Sequence, residues 1–192
     1  MQIILFNKPF NVLCQFTEPG KRLNLGDCLS IPGIYAAGRL DYQDEGLLVL
    51  TDTASLQKRI TAPDAPLEKT YWVQCEGFPT EEVLQQLADG VLIDGVLTPP
   101  AFVCRLTSPP VWQAHTSIRE RLRVPTNWLS LTLPEGRTLL VRRMAAAVGF
   151  PALRLIRRAV GPWELDALYP GEWREAVIPA DWAEKKEEEQ AT

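Results

Sequence analysis

The apolar positions of this chain fall into short strand-like runs and helical stripes, and one run stands out. Leu47-Leu-Val-Leu50 is unbroken, long enough for a strand buried on both faces and too short for a helix. Tyr35 to Leu40 reads as extended, and between the two lies Asp41-Tyr-Gln-Asp-Glu-Gly46, a polar turn with three carboxylates. A carboxylate just ahead of a buried strand is held by a packed core, as a catalytic acid must be. The plain alternative is that Asp41, Asp44 and Glu45 are solvated turn residues. A calcium loop is a further candidate, since Asp41, Glu45, Gly46 and Asp52 sit near EF-hand positions. It fails because Gln43 occupies the third position and a strand follows where a helix is needed.

The remaining pattern sorts readily. Gln2 to Phe6, Val12 to Phe16 and Lys69 to Cys75 read as strands, the last by its β-branched and aromatic content. Asn127 to Leu133 alternates Trp128, Ser130 and Thr132 against Leu129, Leu131 and Leu133, a half-buried strand, and Ala152 to Val160 is a final major strand. Asn24 is placed to cap one helical turn over Leu25 to Leu29. Thr53 caps a helix to Thr61 with Leu56 and Ile60 on one face, and Thr80 caps another to Ala88. Asp94-Gly95 is a hairpin turn. Prolines 99, 100, 109, 110 and 125 mark a long irregular segment. Thr138 to Val148 is a helix with Val141, Met144, Ala145 and Val148 as its buried stripe and Gly149 as its stop.

At 192 residues, 46% apolar and 23% charged, the composition is that of an ordinary globular protein with a substantial core. No apolar run approaches the ~20 residues of a membrane span, and the short apolar start lacks the basic flank and cleavage site of a signal peptide, so a cytoplasmic location is expected. Cys14, Cys28, Cys75 and Cys104 form no Cys-x-x-Cys pair, and His115 is the single histidine. Neither a zinc site, a disulfide framework nor the local signature of a nucleophile elbow is indicated. The net charge of −4 is unevenly spread. Residues 181–192 hold five acids and two lysines, whereas residues 119–158 hold nine arginines against Glu120 and Glu135. A basic region inside an acidic protein fits a selective polyanion binder; arginines solvated on several faces are the bland alternative.

Gly38-Arg-Leu-Asp41 followed by Gly46-Leu-Leu-Val-Leu-Thr51 resembles the signature of pseudouridine synthases, in the branch that modifies ribosomal RNA. Asn7-Lys-Pro9 after the first strand, Lys69-x-Tyr71, and Val141-Arg-Arg-Met144 on a helix match further motifs of that family, and the similarity runs from residue 2 to about 177. Three positions depart from it: Asp44, where relatives carry Ser or Thr, and Leu139 and Leu140, where they carry a polar residue and Gln.

The resemblance implies an α+β fold, a mixed but mainly antiparallel sheet in two lobes with a central cleft and flanking helices. It implies a catalytic domain over residues 1–180 without the small S4-type RNA-binding module many relatives have, then a charged, disordered tail over 181–192. The implied activity is isomerisation of a uridine in large-subunit ribosomal RNA, by a monomer. The reaction is redox-neutral and non-hydrolytic, so no cofactor or metal is expected. Asp41 matches the nucleophile, Tyr71 the ring that stacks on the target base, and Arg142 the charge partner of Asp41. RNA contacts are assigned to Arg39, Lys8, Arg119, Arg121, Arg143 and Arg154. From the residues alone, two other classes are open: a non-catalytic RNA-binding protein, and a glycosidase using Asp41 with Asp44 or Glu45.

Overall fold

The apolar run becomes strand β3 (Glu45–Thr51), every residue of which is buried. The computed structural model describes residues 1–63, 67–116, 118, 125–134 and 138–183. Along its length β3 pairs antiparallel with β1 (Ile3–Lys8), from Ile3↔Thr51 to Lys8↔Gly46. At its far end it meets the short β2 (Tyr35–Ala36). At its start, Glu45 and Gly46 pair in parallel with Ile156 and Arg157 of β9 (Ala152–Val160). That contact is possible because residue 46 is glycine. Its φ is +104°, and a Cβ there would lie 2.4 Å from the Arg157 carbonyl oxygen.

The sheet continues through β4 (Lys69–Glu76), β8 (Thr126–Leu133) and β7 (Phe102–Leu106), and β11 (Trp173–Ala176) closes the opposite edge beside β1. The two-residue β10 (Trp163–Glu164) folds back on β9. Among the described strands of this sheet the only parallel pairing is β3 with β9, so the sheet is mixed and mainly antiparallel, as expected.

Strand alternation divides the core. Leu47 and Val49 of β3 and Ile156 of β9 face one side, packed with Ile3, Leu5 and with Leu56 and Ile60 of α2 (Ala54–Thr61). On the other side there are two clusters. Ile4, Phe6, Leu48 and Leu50 pack on Val12, Leu40 and Leu25 of α1 (Leu25–Cys28). Tyr71, Val73, Leu131 and Leu155 pack on Leu84 and Leu87 of α3 (Glu81–Asp89) and on Val141 and Met144 of α4 (Thr138–Ala147). The two lobes are thus two clusters on one face of a continuous sheet.

Asn24 caps α1 through a full capping box, and Asp94 and Gly95, with φ of 52° and 79°, turn the hairpin of β5 (Leu92–Ile93) and β6 (Val96–Leu97). Three expectations need correction. Val12 to Phe16 is not a strand; it keeps one bridge, Leu13 with Asn24, because Leu25 bends back to bond Gln15. The proline-marked segment contains β7, an edge strand whose Phe102 is exposed. The boundary at residue 180 falls within α5 (Ala180–Ala183), whose Trp182 packs edge-on against Trp163 at 5.4 Å; residues 184–192 lie outside the described chain.

Candidate active site

The three carboxylates of the 41–46 turn have different fates. Asp44 and Glu45 are buried, and Asp41 is exposed. Arg142 of α4 donates to Asp44 Oδ1 from Nε at 2.9 Å and from Nη2 at 2.5 Å, and its Nη1 donates to the Ala152 carbonyl at 3.1 Å. Arg142 was expected against Asp41; the ion pair it forms is with Asp44. The reason is positional: the turn sends Asp44 inward, with a side chain 0% exposed, and leaves Asp41 at the surface. A buried carboxylate needs such a partner.

Glu45 sends its side chain to the opposite face of the sheet. Arg154 grips it from Nε at 2.6 Å and Nη2 at 2.9 Å, both side chains being 3% exposed. The Trp112 indole N–H donates to the same carboxylate at 2.7 Å, and Arg154 Nη1 donates to the Trp112 carbonyl at 3.0 Å. Both carboxylates are thus held in ion pairs.

Between the two apolar clusters lies Arg157, 2% exposed, which donates from Nε to the Leu47 carbonyl at 2.7 Å and from Nη1 to the Arg39 carbonyl at 3.0 Å. It thereby ties the 38–41 approach to the start of β3. Its charge and a hydrogen bond also act on Tyr71. Burial raises the Tyr71 hydroxyl's pKa; Arg157 pulls it down, and the Asp44 and Asp41 charges push it up again. Tyr71 therefore points toward the turn, with a ring fully covered in this structure. In sequence Arg157 is one of many arginines. Its alternate position to Arg154 across β9 was the available sign that the two serve different faces.

A family model for RNA pseudouridylate synthases matches residues 2–147. The chain belongs to the RNA pseudouridylate synthase family. Ribosomal large subunit pseudouridine synthase E of Xanthomonas campestris pv. campestris is 48% identical over 186 residues, covering 93% of this chain and 99% of that protein. The protein of the same name from Vibrio vulnificus is 46% identical over 179 residues, 93% of this chain and 76% of its own. A crystal structure of a pseudouridylate synthase superposes with a TM-score of 0.73 at 30% identity, covering 92% of this chain and 70% of that one. The chain is thus an RNA isomerase with the pseudouridine synthase fold.

In this pseudouridylate synthase several residues assigned to RNA have structural partners instead. Lys8 is 0% exposed, and its Nζ donates to the carbonyls of Pro9 and Val12 at 2.8 Å and of Tyr42 at 3.4 Å. Burial lowers its pKa to about 8. Lys8 therefore laces the 9–12 loop to the Asp41 turn. Arg154 is likewise buried, on Glu45. The five described arginines of the basic stretch all carry internal partners, the last two being Arg143 on Asp94 and Arg158 on Glu164. Arg143 is half-exposed and Arg39 exposed, so both remain at the surface. Arg119 and Arg121 lie outside the described residues. Of the departures, Leu139 is 59% exposed on the outer side of α4, and Asp44 supplies the carboxylate that Arg142 binds. Among the described residues no helix is long and apolar enough to cross a membrane, and no group of three or more His, Cys, Asp or Glu side chains is placed to hold a metal.

Proposed function

We propose that this chain converts a uridine of large-subunit ribosomal RNA to pseudouridine, with Asp41 as nucleophile. One observation carries the assignment of the nucleophile: of the three turn carboxylates, only Asp41 is exposed, while Asp44 and Glu45 are buried and held by arginines. The substrate class follows from the relatives at 46% and 48% identity, which are large-subunit enzymes by name.

The reaction breaks the N1–C1′ glycosidic bond, turns the uracil and joins C5 to C1′; N1 gains a proton and C5 loses one. Electrons balance without an oxidant, reductant or water, so no step is routed through a cofactor. Asp41 supplies the carboxylate that attacks and later departs. Arg142 acts through Asp44, holding the turn and hence the nucleophile in place. Arg157 fixes the backbone on the other side through the Arg39 carbonyl. The uridine leaves the RNA stack to reach Asp41 at a cost of about a few kcal/mol. Arg39, exposed two residues before Asp41, fills the gap or holds the phosphate. Stacking of Tyr71 on the base requires the side chains now covering its ring to withdraw.

The test is tritium release from large-subunit ribosomal RNA labelled at uridine C5, comparing wild type with Asp41→Asn. Release by wild type alone is the expected result. Release by both removes Asp41 from the nucleophile's role, and release by neither, with RNA bound, favours a binding protein.

A further inference from the structure

The one histidine stacks on Phe10, with ring centroids 5.0 Å apart and planes 27° from parallel. His115 is exposed and Phe10 half-buried, so the imidazole lies outermost with the phenyl ring behind it. Each ring is tied to the catalytic turn by its own route. Phe10 lies in the loop that Lys8 laces to Tyr42, the residue after Asp41, and the next residue, Asn11, donates its backbone N–H to the Tyr42 carbonyl at 2.9 Å. His115 follows Trp112, whose indole and carbonyl are both fastened to the buried Glu45–Arg154 pair, one residue beyond Asp44. Past His115, the N–H of buried Ile118 donates to the His115 carbonyl at 2.8 Å.

Two segments about 100 residues apart in sequence thus meet at this ring pair, and polar contacts tie both to the turn that carries Asp41. A surface pair needed only for stability has no call on such anchoring, since an exposed contact adds little to the fold. Flat rings tied to the turn that carries the proposed nucleophile suit a nucleobase, because every base offers a π-face.

We infer that Phe10 and His115 form a stacking platform for a base flanking the target uridine, and that Trp112 is the positioning residue for its His115 half. The inference rests on the proposed RNA-modifying function and adds to it a site for a neighbouring nucleotide. Stacking is indifferent to base identity, so the platform holds the strand while the target is extruded and does not choose the sequence.

The experiment measures the dissociation constant for large-subunit ribosomal RNA by filter retention, and tritium release separately. His115→Ala is expected to weaken RNA binding about ten-fold and His115→Phe to restore it. The ratio of mutant to wild-type constants should stay the same from low to physiological salt, because stacking releases no counterions. Trp112→Phe, which removes the indole donor and keeps the bulk, should weaken binding less than His115→Ala and add nothing to it in the double variant. An affinity for His115→Ala within two-fold of wild type, or a loss that His115→Phe does not repair, overturns the platform. Absence of tritium release by wild type refutes the proposed reaction, while the affinity comparison still decides the platform.

Discussion

The Glu45–Arg154 pair offers the sharpest energetic test. Both side chains are 3% exposed, and the carboxylate accepts two guanidinium N–H groups and one indole N–H. Among the described residues, Arg154→Met leaves a buried carboxylate with the Trp112 indole as its one hydrogen-bond donor, and Glu45→Leu leaves a buried guanidinium with the Trp112 carbonyl as its one acceptor beside the Trp112 and Trp128 rings. Stranding one charge in this way costs about 3–5 kcal/mol. The double variant Glu45→Leu/Arg154→Met strands no charge. Its loss is the unpartnered indole N–H and carbonyl of Trp112, about 1–3 kcal/mol. The double variant should therefore be more stable than either single one, the reverse of additivity. Urea unfolding followed by tryptophan fluorescence measures all four proteins, with unchanged m-values as the check on two-state behaviour. If the double variant loses the sum of the single losses, or if either single variant loses less than about 1 kcal/mol, the pair is not the buried clamp described here.

Three further outcomes follow from the site and its frame. Gly46→Ala forces a side chain into a positive φ and against the Arg157 carbonyl; a loss of about 3 kcal/mol or more is expected in urea unfolding, and a neutral result would mean that β3 and β9 separate freely. Arg142→Met should lower kcat for tritium release about 10²-fold with the RNA dissociation constant kept, because the turn carrying Asp41 loses its anchor; unchanged kcat would detach Arg142 from the chemistry. Lys8 gives a pH signature. Its pKa falls from 10.5 unfolded to about 8 folded, so between those values the unfolded chain binds more protons and stability rises with pH. Relative to Lys8→Met, wild type should gain up to about 3 kcal/mol from about pH 8 to about pH 10.5, and parallel stability profiles would contradict the burial assigned to Lys8.

Much of the fold was legible because it depends on local periodicity. Leu47 to Leu50, the helix stripes at Leu56/Ile60 and Val141/Met144, and the Asp94-Gly95 turn each carry their own pattern. The turn at Asp41 was legible as a motif. What it binds was not. Arg142 lies 98 residues from Asp44, and Arg154 lies 109 from Glu45, so no local pattern says which carboxylate each arginine meets. Nine arginines close together in sequence suggested one basic surface, but β9 sends Arg154 and Arg157 to opposite faces and buries both. Lys8 misled for a related reason: a lysine beside a proline turn reads as exposed until three carbonyls converge on its ammonium. Strand β7 was hidden because the prolines flanking it dominate the local reading.

The two-residue parallel contact between β3 and β9 has a kinetic meaning. It joins parts of the chain more than 100 residues apart, so its loop-closure entropy must be met before any pairing energy is returned. On either side of it, β1 with β3 and β4 with β8 offer longer ladders. The two halves of the sheet should thus form early and dock late, and the residues that position Asp41 span that junction. An emerging chain would carry Asp41 long before it carries Arg154 and Arg157, so competence to modify RNA would arrive in one step, when β9 seats between its neighbours.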